Sequence, residues 1–394
     1  MSTVPGSPLQ VFLVFLRLGL TSFGGPIAHL GYFRDEFVTR RQWMTERAYA
    51  DLVALCQFLP GPASSQVGFA IGMMRAGWAG ALAAFLGFTL PSAVLLTGLA
   101  LSGLGLGAET AASGVIHGLK IVAVAIVAQA VWGMARSLCP DRTRAGIALG
   151  ALVMLVVLPG SAGMMAAIAA GALAGLALCR PQDGAVPSAL AVGIRRRTAL
   201  SALAILAGLL VLLPLLAPAG QGLALADRFF RAGSLVFGGG HVVLPLLEAE
   251  TVASGWVGPD AFLAGYGLAQ AVPGPLFTFA AWLGALMEVS PNGVAGAVIA
   301  LVALFLPGFL ILTAALPFWD RLRRQPRAQA AMQGTNAAVV GILGLALYDP
   351  VFVSAIGDRV DFALALAGFL ALTRWNAPSW AVVLLAAGAG AAIA

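Results

Sequence analysis

The sequence predicts an all-α polytopic membrane protein made of two inverted-topology repeats with re-entrant, broken helical hairpins. Three observations carry this expectation. The composition suits a chain immersed in lipid: 60% of its 394 residues are hydrophobic, 10% are charged and the mean hydropathy is +0.95. A soluble domain carries about 25% charge. Two signatures occur twice. Arg17-Leu18-Gly19-Leu20-Thr21-Ser22-Phe23-Gly24-Gly25 and Gln57-Phe58-Leu59-Pro60-Gly61-Pro62 return as Arg231-Ala232-Gly233-Ser234-Leu235-Val236-Phe237-Gly238-Gly239 and Gln270-Ala271-Val272-Pro273-Gly274-Pro275. Each copy interrupts an apolar stretch, and interrupted membrane helices expose backbone polar groups tolerated only where they line a cavity or are buried in protein. Matching interruptions in two halves point to a transporter.

Along the chain, Leu9–Phe23 is apolar and stops at Gly24-Gly25-Pro26, while Tyr49–Leu59 stops at Pro60-Gly61-Pro62 and resumes to Met74. Arms of about 11–15 residues are shorter than the ~20 a helix needs to cross. Hairpins that enter and return are therefore expected at 48–74 and 261–288. Full spans are expected at 78–99, 112–134, 198–217, 293–316 and 328–348, and shorter ones at 145–158, 163–179, 361–373 and 379–393. Further matches (Trp43 with Trp256, Gly80 with Gly296, Pro91 with Pro307, Gly118 with Gly334) extend the duplication. The expected division is an N-terminal repeat over 1–185, a linker with a connecting transmembrane helix over 186–222, and a C-terminal inverted repeat over 223–394.

Orientation follows from the arginines. The loop at 28–47 carries Arg34, Arg40, Arg41 and Arg47, whereas its counterpart at 242–260 holds Glu248, Glu250 and Asp260. The loop at 100–112 has only Glu109, whereas its counterpart carries Arg321, Arg323, Arg324 and Arg327. Equivalent loops that swap sign lie on opposite faces by the positive-inside rule, so the repeats are read as inverted. The net charge of +6 is an orientation signal on this reading, not a nucleic-acid footprint.

Several side chains could carry chemistry. Arg17 and Arg231 each lie six residues before a Phe-Gly-Gly break, inside apolar helices. A guanidinium there must pair, snorkel or face water, and its planar fork suits an oxyanion or a carboxylate. Beyond each Pro-Gly-Pro the helix restarts at Ala63-Ser64-Ser65 or Leu276-Phe277-Thr278. Free N–H groups at such a start form an anion site, to which Ser64, Ser65, Thr278, Gln57 and Gln270 add donors. Ser22, Gly24 and Gly25, with Gly238 and Gly239, offer close approach at the other breaks. Prolines that merely kink long helices are the alternative. Lys120, the only lysine, could attract the anion or snorkel. Asp51 and Glu288 are proton-carrier candidates that could equally be solvated.

Other chemistries find no support. His29, His117 and His241 are scattered, without HxxxH or an acidic cluster, so no metal site or enzyme is expected. Cys56, Cys139 and Cys179 have no CxxC spacing, and no disulfide is expected. The N-terminus lacks a basic n-region and is expected to be uncleaved. No nucleotide motif occurs, so transport would draw on an ion gradient or on the substrate's own.

The stretch Phe15 to Pro26, followed by Gln57-Phe58-Leu59-Pro60-Gly61-Pro62 and by the second-half Phe237-Gly238-Gly239-Gly240 and Gln270 to Pro275, resembles the chromate ion transporter family in its two-domain form. The resemblance implies a protein of the cell inner membrane that extrudes chromate and confers resistance; a multi-pass antiporter driven by the proton gradient is the expectation built on it. Sulfate is a structural look-alike of that substrate. Expected partners are a chromate- or sulfate-type oxyanion, protons, the lipid bilayer and a second copy in a homodimer, with no cofactor. Uptake of sulfate or another oxyanion, and a passive anion channel, are the alternatives.

Overall fold

The computed structural model describes residues 6–103, 110–180, 194–237, 240–322 and 324–393, and among these it is helical throughout, without strands. In the first half α1 (Pro8–Thr21), α2 (Gly25–Arg34), α3 (Glu46–Phe58) and α4 (Ala63–Leu101) precede α5 (Thr110–Leu138), α6 (Arg142–Val157) and α7 (Ser161–Leu178). A connecting helix, α8 (Arg196–Leu216), leads to α9 (Gln221–Ser234), α10 (Val243–Thr251), α11 (Pro259–Ala271) and α12 (Phe279–Ala285). Then come α13 (Gly293–Ala315), α14 (Pro326–Ala346), α15 (Arg359–Arg374) and α16 (Ser379–Ile393). Among the described residues five helices are long and apolar enough to cross a membrane, and they overlap the five expected full spans. The protein is an all-α, multi-pass membrane protein. Residues 104–109 and the first part of the expected linker, 186–193, lie outside the described residues.

Both expected interruptions of the first half are present. The Phe15 ring meets Phe33 and Phe37 at centroid separations of 5.5 and 5.0 Å, so the chain folds back on itself between α1 and α2. The reversal occurs at Gly24 and Gly25, whose φ angles of 98° and 80° suit glycine. Ser7 and Thr45 cap α1 and α3, accepting from Gln10 N and Ala48 N. The helix labelled α4 is itself a hairpin. Eight residues of straight helix span ~12 Å, yet a Cβ on Gly72 or Gly80 would collide with the other's carbonyl. The reversal sits at Ala76 and Gly77, which leave helical geometry. Gly284 on α12 and Gly296 on α13 make the same mutual contact in the second half.

The two halves exchange partners. Helix α5 packs against α15 and α16 of the other half, while α14 packs against α6 and α7. The glycines show how closely these backbones approach. A Cβ on Gly118 would meet the Ala386 backbone, and one on its counterpart Gly334 would meet Gly171. Small residues at crossing points are the usual means of packing helices in lipid, where apolar burial gives no driving force between them. Gly61 and Gly274, the centres of the two Pro-Gly-Pro breaks, are both buried.

Candidate functional site

The four breaks meet. The Gly61 amide donates to the Val236 carbonyl at 2.7 Å, and the Gly274 amide donates to the Ser22 carbonyl at 2.9 Å. Each Pro-Gly-Pro turn is thereby tied to the residue just before the Phe-Gly-Gly break of the opposite half. A Cβ built on Gly240 would lie 3.0 Å from Pro26 Cγ, which brings the two Gly-rich breaks together. Gly61 and Gly274 hold φ angles of 122° and 111°, and side chains there would press on Gly308 and on Ser92. These two amides are paired with protein and are not free to bind an anion.

Buried polar side chains surround this meeting point, and many lack partners. Ser22, His29, Ser64, Ser65, Gln66, Thr89, Ser92, Gln270 and Thr278 are all buried. Ser22 Oγ, both His29 ring nitrogens, Ser65 Oγ, Gln66 Oε1, Thr89 Oγ1 and Gln270 Nε2 make no hydrogen bond. An unmade hydrogen bond in such a place costs roughly 1–3 kcal/mol, so a group of them is a property to be explained. Other atoms here are engaged. Gln66 Nε2 donates to Pro60 O and Gly308 O, both at 2.9 Å, and so anchors the first turn to α13. Thr278 Oγ1 donates to Pro275 O at 2.8 Å, capping its own turn instead of facing a ligand. Ser379 Oγ donates to Gln270 O at 3.1 Å. His241 Nδ1 and Tyr266 Oη are 2.7 Å apart, and the Tyr266 side chain also meets Gln270.

The charged residues stand differently from expectation. Arg17 is exposed on the same stripe of α1 as Leu13 and Leu20 and does not join the breaks. The cause is local: the opposite face of α1, with Val14, Phe15, Leu18 and Gly19, is buried against α4. Arg231 is already committed. Its Nη2 lies 3.0 Å from Asp227 Oδ2 and 3.5 Å from Glu250 Oε2. Arg228 donates to the Glu250 carbonyl at 2.7 Å, with its guanidinium 3.8 Å above the Trp256 ring. Lys120 Nζ is bonded to Asp260 Oδ1 at 2.6 Å, joining α5 to the start of α11. Gln57 and Glu288 are exposed, and Asp51 is half-buried. Pro60, Gly61, Pro62, Pro273 and Pro275 shape the turns, and Gly24 and Gly25 the first reversal. Gly238 and Gly239 lie outside the described residues.

Residues 9–176 and 223–391 match the chromate transporter family. The chain belongs to that family. Its pattern is met twice, once in each half, as in the two-domain form. A chromate transport protein of Pseudomonas aeruginosa is 31% identical over 98% of this chain and 92% of its own length. One from Cupriavidus metallidurans is 28% identical, covering 91% of this chain and 85% of that protein. A probable chromate transport protein of Synechococcus elongatus is 27% identical over 97% and 94% of the two chains. These relatives are transport proteins, not enzymes. No solved structure matches the chain.

Within this chromate transporter chain, sequence reasoning missed His29, Thr89, Ser92 and Tyr266 as companions of the breaks. Thr89 and Ser92 flank Pro91, a proline shared with the second half, and polar residues beside a membrane-helix proline were a usable signal. His29 offered none, because its burial arises from packing against Phe88, whose ring centroid is 5.3 Å away. Among the described residues no group of three His, Cys, Asp or Glu side chains could hold a metal.

Proposed function

We propose that this chain is a secondary transporter of tetrahedral oxyanions, working as a proton-driven exporter of chromate in the inner membrane and so conferring resistance. The observation that carries the reading is the convergence of four helix breaks on buried, unpartnered donors, among them Ser22 Oγ, Ser65 Oγ and Gln270 Nε2. Family membership supplies the oxyanion. Neutral donors in a low-dielectric interior stabilise an anion without an ordered counter-charge, and they release it more readily than a bidentate arginine would.

The halves are taken as inverted repeats, 1–185 and 223–394, that rock against each other about the fixed site. Support comes from the opposed arginine distributions of equivalent loops and from the reciprocal ties of Gly61 to Val236 and Gly274 to Ser22. Chromate and sulfate share charge and shape, so competition between them is expected.

The test is uptake of labelled chromate into proteoliposomes with and without an imposed pH gradient. Accumulation that follows the gradient supports the reading. A flux indifferent to the gradient but carrying current would make the protein a channel, and no flux of either oxyanion would remove the transport assignment.

A further inference from the structure

One glutamine of the repeated motif is held by side chains of its own half, and the other is not. Gln57 and Gln270 open the two Gln-x-x-Pro-Gly-Pro segments, yet Gln270 is buried and Gln57 exposed. The cause lies on α11 and in the turn before α10. Tyr266, one helical turn ahead of Gln270, is fully buried, its ring edge-on to Phe279 at a centroid separation of 5.9 Å. Tyr266 Oη is 2.7 Å from His241 Nδ1. The same hydroxyl receives the Gln270 amide in a looser contact, so Gln270 Nε2 still has hydrogens to give. For Gln57 the matching positions are Val53 and Ile27, and neither side chain can hydrogen-bond.

These residues close a circuit at the junction of the breaks. The Gly274 turn, four residues beyond Gln270, is tied to Ser22 at 2.9 Å. Four residues beyond Ser22, Pro26 meets Gly240, and His241 follows directly. From His241 the path returns through Tyr266 to Gln270. The bonding has one sense. A tyrosine oxygen that accepts from an amide passes its single proton onward, here to His241 Nδ1, which leaves a neutral imidazole with its hydrogen on Nε2. A glutamine side chain turns about three bonds, and ordering it on a ligand weakens binding unless the fold has ordered it already.

Resting on the transport reading above, we propose that Tyr266 and His241 are positioning residues for oxyanion transport, which hold the Gln270 amide as a pre-set donor at the junction. Neither touches the anion; both act through Gln270. Ser65, beside the Gly61 turn, remains a donor to the same anion.

Calorimetric binding of sulfate and of chromate to the purified full chain, with thermal unfolding alongside, tests this. Tyr266→Phe, which removes one oxygen, is expected to weaken both anions about tenfold. His241→Leu is expected to do the same, and His241→Asn, which keeps an acceptor for the Tyr266 hydroxyl, to recover part of the affinity. The double variant decides between positioning and mere packing. In a Gln270→Ala background, Tyr266→Phe is expected to change affinity by no more than about twofold, because nothing is left to position. Tyr49→Phe, which deletes a buried hydroxyl bonded to the Leu30 carbonyl, is expected to bind both anions as wild type does. Wild-type affinity in Tyr266→Phe, or losses that add in the double variant, would overturn the positioning role and leave the transporter reading intact. If Tyr266→Phe fails to fold, His241→Leu with Gln270→Ala completes the same cycle. A wild-type chain that binds neither anion would overturn both.

Discussion

The amide of Gly61 donates to the carbonyl of Val236 at 2.7 Å, and this bond has a twin in Gly274 and Ser22 at 2.9 Å. A re-entrant turn ends in backbone groups that must be satisfied at membrane depth, and here each half satisfies those of the other. The ties are therefore both structural and positional. They fix where the breaks meet, and they remove two amides from the pool of anion donors. What remains available is side-chain chemistry and the first N–H groups of α4, which begins at Ala63 without a side-chain cap.

Alanine at Gly61 or Gly274 is expected to destabilise the protein at each position independently. Both residues hold a left-handed φ, 122° and 111°. The added methyl would also stand 2.9 Å from Gly308 Cα or 2.7 Å from Ser92 Oγ. Backbone strain of this kind costs about 1–3 kcal/mol, read as a lowered unfolding midpoint in detergent for Gly61→Ala and Gly274→Ala alike. A neutral result at either position would mean that its turn is not held in this geometry.

Arg17 and Arg231 are equivalent in the repeat but not in consequence. Four residues before each stands Leu13 or Asp227. Asp227 is buried and pairs with Arg231 at 3.0 Å, whereas Arg17 is exposed. Arg231→Ala is expected to cost about 3–5 kcal/mol by stranding a buried carboxylate, and replacing Asp227 and Arg231 together by leucine to recover most of it. Arg17→Ala is expected within ~0.5 kcal/mol of wild type. Equilibrium unfolding of the four proteins in one detergent decides the matter.

Much of this architecture was readable in the sequence because proline and glycine punctuate a membrane helix without ambiguity. The breaks at 24–26, 60–62 and 273–275 and the five long spans follow from composition and length alone. The site was legible only in outline. Which donors stay free depends on tertiary pairing: the Gly61 amide, the Thr278 hydroxyl and Lys120 all find protein partners from elsewhere in the fold or in their own turn. Arg231 shows the opposite case, since the four-residue spacing to Asp227 was visible and announced an ion pair. The exchange of α5 and α14 between halves left no local trace, because small residues lie on every face of these helices.

The loop after α2 is expected to loosen in acid. Burial alone would push the Glu36 carboxyl up, but hydrogen bonds and charge from Arg41 and Arg40 outweigh it and hold the group below its ordinary value of 4.5. The bonds are 2.6 and 3.1 Å long. A carboxylate whose folded value is depressed contributes stability that is present above its unfolded value and is lost as pH falls through the folded one. The wild-type unfolding midpoint should therefore exceed that of Glu36→Gln at pH 7, with the gap closing below the carboxylate range. A gap that widens in acid would show that Arg40 and Arg41 do not hold this group.

Inversion of the repeats makes the sharpest demand, because it concerns which side of the bilayer a residue meets. Thr39 lies beside Arg40 and Arg41, while Ser254 lies in the acidic counterpart loop, and both are exposed. Arginines are retained on the cytoplasmic side and acidic residues do little to orient a loop, so the argument rests on the four bases between 34 and 47. In a background with Cys56, Cys139 and Cys179 replaced, Thr39→Cys is expected to react with a membrane-impermeant maleimide only after the cells are opened. Ser254→Cys is expected to react in intact spheroplasts. Labelling of both from one side would mean parallel repeats, and the rocking of one half against the other would then have no opposed faces to expose in turn.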